Sequence, residues 1–341
     1  MVRRQILKGF PPYMEMFSII NKVGPTFMAL NMKPICNFKC TKCFVGEQKA
    51  LTGIHDFLTL DEMKIIVNNA KKSGVKVLAI SGSGEPFVDE NIYEVVKFAN
   101  KNRLITIMAT NASVLNREII NFLRDNNVTF TISLDTTDPG RFAKKTGTTK
   151  KMFYKVYENL MLAEEIYKGT KISKEIKGEI VDIYRLAIHM TLQNEEFAEI
   201  QKVKRLATED TLFSLSPMAN YVGFAKDANL DSEVSKVFKE EISEKHIVCC
   251  YDEENNLDIC GNFRFGIDIN FDGQLLLDAH AVDTRKLFKN IRDFDYNISE
   301  AFTYLYEIKK EFIKNWLDGF CPIRSKKFAD WVNKKKSNSY F

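Results

Sequence analysis

Between residues 27 and 216, short apolar runs alternate with longer stretches of helical periodicity, and this alternation restricts the fold more than any other feature of the chain. The runs at 27–32, 75–81, 104–110, 128–135, 186–192 and 211–216 read as strands. The stretches at 60–72, about 89–102, 117–126, about 150–167 and 195–207 read as helices, with a charged, Lys-rich connection after the fourth of them. Strands separated by helix-length segments pair in parallel, because the helix is the crossover that carries the chain back. Six such strands are too few to close an eight-unit barrel. The sequence therefore predicts an α/β fold, an open partial (β/α)6 TIM-like barrel whose chemistry gathers at the C-terminal strand ends.

The segment that leaves the first of these strands is Pro34-Ile-Cys-Asn-Phe-Lys-Cys-Thr-Lys-Cys-Phe44, which places Cys36, Cys40 and Cys43 in a C-x3-C-x2-C run. Three thiolates on one short loop suit three irons of a [4Fe-4S] cube and leave the fourth iron open to a small molecule. Zinc also binds closely spaced cysteines but needs a fourth ligand, and no nearby His or Cys supplies one. Only four other cysteines exist, Cys249, Cys250, Cys260 and Cys321, all in the last third. An odd total of seven in 341 residues is a poor disulfide framework, and a chain of this length builds a core without covalent staples. Reduced, metal-bound thiols and a cytoplasmic location are the expectation.

Charge excludes one partner class. A formal net charge of +4, with acids interspersed among the lysines, gives no basic face for nucleic acid. The N-terminus begins basic but has no apolar core long enough for a signal peptide, and no segment reaches transmembrane length. Residues 1–24 read as a capping segment in which Tyr13, Met14, Met16, Phe17, Ile19 and Ile20 form a short amphipathic helix over the barrel end.

Polar residues mark the later strand ends. Ser81-Gly-Ser-Gly-Glu-Pro86 follows the second strand, Thr110-Asn111 the third and Ser133-Leu-Asp135 the fourth. His189, Thr191, Gln193 and Asn194 lie in or just after the fifth strand, and Ser214, Ser216 and Pro217 in or just after the sixth. The cysteine loop after one strand and a Gly-Glu-Pro turn after the next resemble the radical S-adenosylmethionine (radical SAM) enzymes, over roughly residues 25 to 225. The resemblance implies that the open iron is chelated by the methionine moiety of AdoMet, and that reductive cleavage gives a 5'-deoxyadenosyl radical that takes a hydrogen atom from substrate. It also implies that Ser83, Gly84, Glu85, Asn111, Ser133, Asp135 and Thr191 contact AdoMet. A flavodoxin or ferredoxin is the implied electron donor. Ser83 stands where the family commonly has Gly, and Lys42 where it has an aromatic against the adenine, which leaves Phe38 or Phe44 to supply apolar surface.

In the last third, Ile267-Asp-Ile-Asn-Phe-Asp-Gly-Gln-Leu-Leu-Leu277 reads as strand, Asp-Gly turn and strand. Cys260 lies before this hairpin and Asp278 after it, an arrangement similar to the C-terminal SPASM or twitch domain of radical SAM enzymes. The resemblance implies residues 25–235 as the barrel and 236–341 as a small α+β twitch-like extension with one auxiliary [4Fe-4S] cluster. Its ligand set stays open: Cys249, Cys250, Cys260 and Cys321, or one of the tandem pair with Cys260, Cys321 and Asp278. The second choice frees Cys249 or Cys250 as a hydrogen donor for epimerisation. With either ligand set, an auxiliary cluster that takes an electron from a substrate radical favours oxidation or bond formation, the leading expectation. Peptide-modifying members of the family often carry an N-terminal peptide-recognition domain, and only about 25 residues precede the predicted first strand, so the resemblance implies a small-molecule substrate before a ribosomally made peptide.

Overall fold

The computed structural model describes residues 3–21, 23–41, 43, 56–80, 84–192, 197–217, 261–279, 287–315, 328 and 330–334. Its strands are β1 (Arg3–Leu7), β2 (Phe27–Leu30), β3 (Val77–Ile80), β4 (Ile105–Thr110), β5 (Thr129–Ser133), β6 (Ile172–Ile176), β7 (Glu179–Tyr184), β8 (Leu186–Leu192), β9 (Thr211–Pro217), β10 (Gly266–Ile269) and β11 (Leu275–Leu276). The helices that flank them are α1 (Pro11–Met16), α2 (Leu60–Lys72), α3 (Ile92–Lys101), α4 (Arg117–Asp125), α5 (Pro139–Thr146), α6 (Lys150–Tyr167) and α7 (Phe197–Lys204), followed by a long helix at Ile298–Asn315. The main sheet has the order β11-β10-β2-β3-β4-β5-β8-β9. All its neighbours are parallel except β10 and β11. Its edges are different strands, so the barrel is open, as the sequence predicts.

Side-chain alternation separates the two faces. Met28, Leu30, Leu78, Ile80, Met108, Phe130, Ile132, Ile188 and Met190 point outward into one core shared with the covering helices. Helix α2 begins with a capping box, Thr59 and Glu62 each satisfying the other's backbone N–H, and buries Met63, Ile66, Val67 and Ala70. On the concave face the lower layer is apolar. Phe27, Ala29, Val77, Ala79 and Ile107 close around Met14, with Phe10 beside them, and Leu7, Tyr184, Ala187 and Leu212 form an adjoining group. The N-terminal segment thus fills the floor of the barrel with its own side chains. Above that floor the inward positions of β5, β8 and β9 turn polar, with Ser133, His189 and Ser214 in one row and Thr191 and Ser216 in the next.

Three features depart from the sequence reading. The Lys-rich connection after α6 contains a hairpin, β6–β7, turning at Lys177 and Gly178, both with positive φ. Strand β1 pairs in parallel with β7, making a second sheet of order β1-β7-β6. The hairpin read from the Asp-Gly turn exists, with Gly273 at φ 81, but β10 lies beside β2, Ala29 opposite Asp268, and so joins the main sheet. The parallel strands therefore number more than the six legible in sequence.

The segment after β11 is tied back to α2. Arg292 donates to both carboxylate oxygens of Glu62, at 2.6 and 3.2 Å, and to Asp56 at 3.1 Å, while the Tyr296 hydroxyl donates to Glu62 at 2.7 Å. The Arg292 guanidinium holds the Glu62 carboxyl down at about 2.

Candidate active site

The cysteine loop leaves β2 and is held from two sides. On one side the Glu85 N–H donates to the Ile35 carbonyl at 2.9 Å, and Gly84 lies so close to the loop that a Cβ there would overlap the Ile35 carbonyl oxygen. Glycine is required at Gly84 for that approach. On the other side the Lys39 and Thr41 N–H groups donate to the carbonyls of Thr146 and Lys145, each at 2.9 Å, at the C-terminal end of α5. Gly147 ends α5 in the left-handed region at φ 62, where a Cβ would stand 2.9 Å from the Lys39 carbonyl oxygen. Phe38 anchors the loop from below, edge-on to Phe142 at 6.0 Å and 3% exposed. It is a core residue, and of the two phenylalanines the sequence offers as apolar surface the other, Phe44, lies outside the described residues. Helix α5 was not legible as a helix, although Asp138 caps it and Pro139 occupies its first turn.

Glu85 is buried behind this loop. Its carboxylate accepts from the Thr110 hydroxyl at 2.6 Å and from the Asn111 N–H at 2.7 Å. Burial pushes its pKa up to about 7, against the pull of these hydrogen bonds. Glu85 thereby joins the end of β3 to the end of β4. The Asn111 side chain reaches Asn37 at 3.0 Å and the Cys36 sulfur at 3.8 Å. At the end of β5, Asp135 accepts from the Thr191 N–H at 2.9 Å, and Glu199 on α7 accepts from the Thr136 hydroxyl at 2.6 Å and the Thr137 N–H at 2.8 Å. The imidazole of His189 lies between Ser214 and Ser216, at 2.8 and 2.9 Å. Sequence reasoning had no signal for the Asn37 and Glu199 contacts, because each joins residues far apart in the chain.

Gly84, Glu85, Asn111, Ser133, Asp135 and Thr191 thus lie along one rim, at the C-terminal ends of four strands, with Cys36 and Cys40 packed against the adjoining core. Asp278 is buried just past β11. Ser83, Lys42, Phe44, Gln193, Asn194, Cys249, Cys250, Cys260 and Cys321 lie outside the described residues.

All three loop thiols are half-buried and form no disulfide. Among the described residues no three His, Cys, Asp or Glu side chains converge closely enough to hold a single metal ion. A four-iron cube asks for something different, since each cysteine holds its own iron and the sulfurs need not meet at one point. A three-thiol loop therefore fits a cube with one open iron better than it fits zinc.

An open parallel barrel with such a loop after a strand defines the class: a partial-barrel iron–sulfur enzyme. Residues 30–183 match the Radical SAM superfamily. The chain is 24% identical over 271 residues to a GTP 3',8-cyclase of Clostridium perfringens, an alignment spanning 71% of this chain and 82% of the cyclase. In structure it is similar to Streptococcus suis SuiB bound to S-adenosylmethionine, with a TM-score of 0.63 and 15% identity, covering 85% of this chain and 68% of SuiB. It is also similar to anSMEcpe with bound AdoMet, with a TM-score of 0.57 and 15% identity, over 90% of this chain and 95% of that one. Residues 30–183 thus carry a radical SAM domain, and members of that superfamily use a [4Fe-4S] cluster and AdoMet. Among the described residues no helix is long and apolar enough to cross a membrane.

Proposed function

We propose that this chain is a radical SAM enzyme that carries out an oxidation or bond formation on a small molecule, helped by an auxiliary [4Fe-4S] cluster in its last third. The observation that carries the proposal is the double lock on the cysteine loop, by Gly84-Glu85 on one side and the end of α5 on the other. A loop fixed by backbone contacts presents Cys36, Cys40 and Cys43 to three irons in a set orientation. When bound, the cluster supplies the electron that cleaves AdoMet to the 5'-deoxyadenosyl radical. Glu85 holds the ends of β3 and β4 in register beside the cofactor. Ser133 and Asp135 would meet the ribose and carboxylate of AdoMet, and Thr191 would border its adenosyl group or the substrate. The apolar floor formed by Met14, Phe10 and their neighbours keeps water from entering below a reactive radical. The polar row of His189, Ser214 and Ser216 is the side of the barrel that would border a substrate.

The small-molecule reading is supported by the named relatives, GTP cyclases that act on a nucleotide. At 24% identity the substrate itself does not transfer. SuiB, solved with its precursor peptide SuiA, supplies the competing peptide reading. The test is to reconstitute the protein anaerobically, add AdoMet and dithionite, and follow 5'-deoxyadenosine with size-fractionated extract of the native host. The proposal expects the low-mass fraction to stimulate turnover. Stimulation by the macromolecular fraction alone would reverse the substrate class.

A further inference from the structure

Asn111 is held in a way that its place at a strand end does not require. Its backbone N–H is fixed by Glu85 at 2.7 Å. The next residue, Ala112, is buried with φ at 61, a conformation that costs a non-glycine residue about 1 kcal/mol or more. That turn is held in place by the Thr110 hydroxyl, which accepts from the Ala112 N–H at 3.0 Å, and by the Asn159 amide, which donates to the Ala112 carbonyl at 2.8 Å.

The Asn111 side chain is fixed as firmly. Its oxygen accepts from the Ser113 N–H at 2.9 Å and from the Ser113 hydroxyl at 2.6 Å. The Ser113 oxygen accepts from the Asn37 amide at 2.7 Å, and the Asn37 oxygen accepts from the Asn111 amide at 3.0 Å. These bonds close a ring of three side chains, which sets the direction of both amides. With the oxygen turned to Ser113 and one N–H given to Asn37, the second N–H of Asn111 faces the Cys36 sulfur at 3.8 Å. The Phe38 N–H approaches the same sulfur at 3.4 Å.

We infer that Asn111 is a positioning residue whose amide donates to the Cys36 thiolate and raises the reduction potential of the cluster held there. A donor to a ligand sulfur stabilises the more negative, reduced cluster more than the oxidised one, so that the electron is accepted more readily. The inference rests on the proposed cluster at Cys36, Cys40 and Cys43. It assigns the Asn111 side chain to the metal ligand rather than to AdoMet.

The experiment is a redox titration of the reconstituted protein, followed by electron paramagnetic resonance in the absence of AdoMet, with iron and sulfide counted in parallel. Asn111→Ala removes the donor. Asn111→Asp keeps the shape and the acceptor to Ser113 but turns a carboxylate toward the sulfur. At a fixed potential the reduced-to-oxidised ratio should fall about fivefold in the Ala variant, which is about 40 mV at 59 mV per tenfold for one electron. The Asp variant should fall further. Midpoints equal to wild type in variants that keep their iron would overturn the inference. Loss of iron from both variants would also overturn it, by giving Asn111 a structural role only. A wild-type protein that takes up no cluster would instead refute the proposed function itself.

Discussion

Glu85 and Gly84 show how much a two-residue turn carries here. With its pKa raised from 4.5 to about 7 by burial, ionised Glu85 weakens the folded state. The stability it allows is fully present below pH 4.5 and is lost as pH rises through 7, by about 3 kcal/mol at about 1.36 kcal/mol per unit. Denaturant titrations at several pH values should show Glu85→Gln losing that slope, and an unchanged slope would contradict the burial argument. Gly84→Ala should release the cysteine loop, because the clash is with Ile35 backbone and nothing flexible can move aside. Iron bound after reconstitution should fall sharply while the far-UV spectrum is kept. Full iron retention would mean that the loop tolerates displacement. The Gly-Glu-Pro segment was legible in sequence as a strand-end motif. That its glycine faces the cysteine loop was not, because the approach joins residues some fifty apart in the chain.

At the scale of elements, α2, α6 and β8 fall where periodicity puts them, because capping residues such as Thr59 and Thr149 mark their starts and apolar faces mark their length. Helix α5 escaped because only Phe142 among its eight residues is buried, so no apolar stripe shows. Phe142→Ala should cost about 3–5 kcal/mol, as for large-to-small changes in a packed core. It should also reduce iron retention, since Phe38 rests on that ring. A loss of melting temperature with normal iron content would separate α5 from the site. Strand β6 escaped for the opposite reason, being exposed along most of its length with a polar Ser-Lys-Glu centre, so that it reads as a solvated loop. The Arg292–Glu62 pair makes a prediction of reversed sign. The carboxyl of Glu62 is held near 2, so the pair's stability is present above pH 4.5 and lost as pH falls toward 2. Arg292→Ala should cost about 2 kcal/mol at pH 7 in thermal melts, the order of a hydrogen-bonded charge pair, and little near pH 2.

For the whole molecule, the α/β class and the open parallel sheet were readable from the alternation of strands and helices. The placement of β10 beside β2 was not, since a pairing between segments some 240 residues apart leaves no local trace. Nor was the second sheet, in which five N-terminal residues find β7. These long-range pairings seat the N-terminal segment on the barrel floor, at the end opposite the rim. Among the described residues, the cysteine loop, the buried carboxyl and the polar row all lie at that rim. The proposed function says that this rim makes a radical from AdoMet. The direct measurement is 5'-deoxyadenosine formed by anaerobically reconstituted protein with AdoMet and dithionite, compared with a variant in which Cys36, Cys40 and Cys43 are all Ala. Wild type should form it and the triple variant should not, while the variant keeps about four irons if the last third holds its own cube. No 5'-deoxyadenosine from a wild-type protein carrying its cluster, or equal amounts from both proteins, would contradict the account.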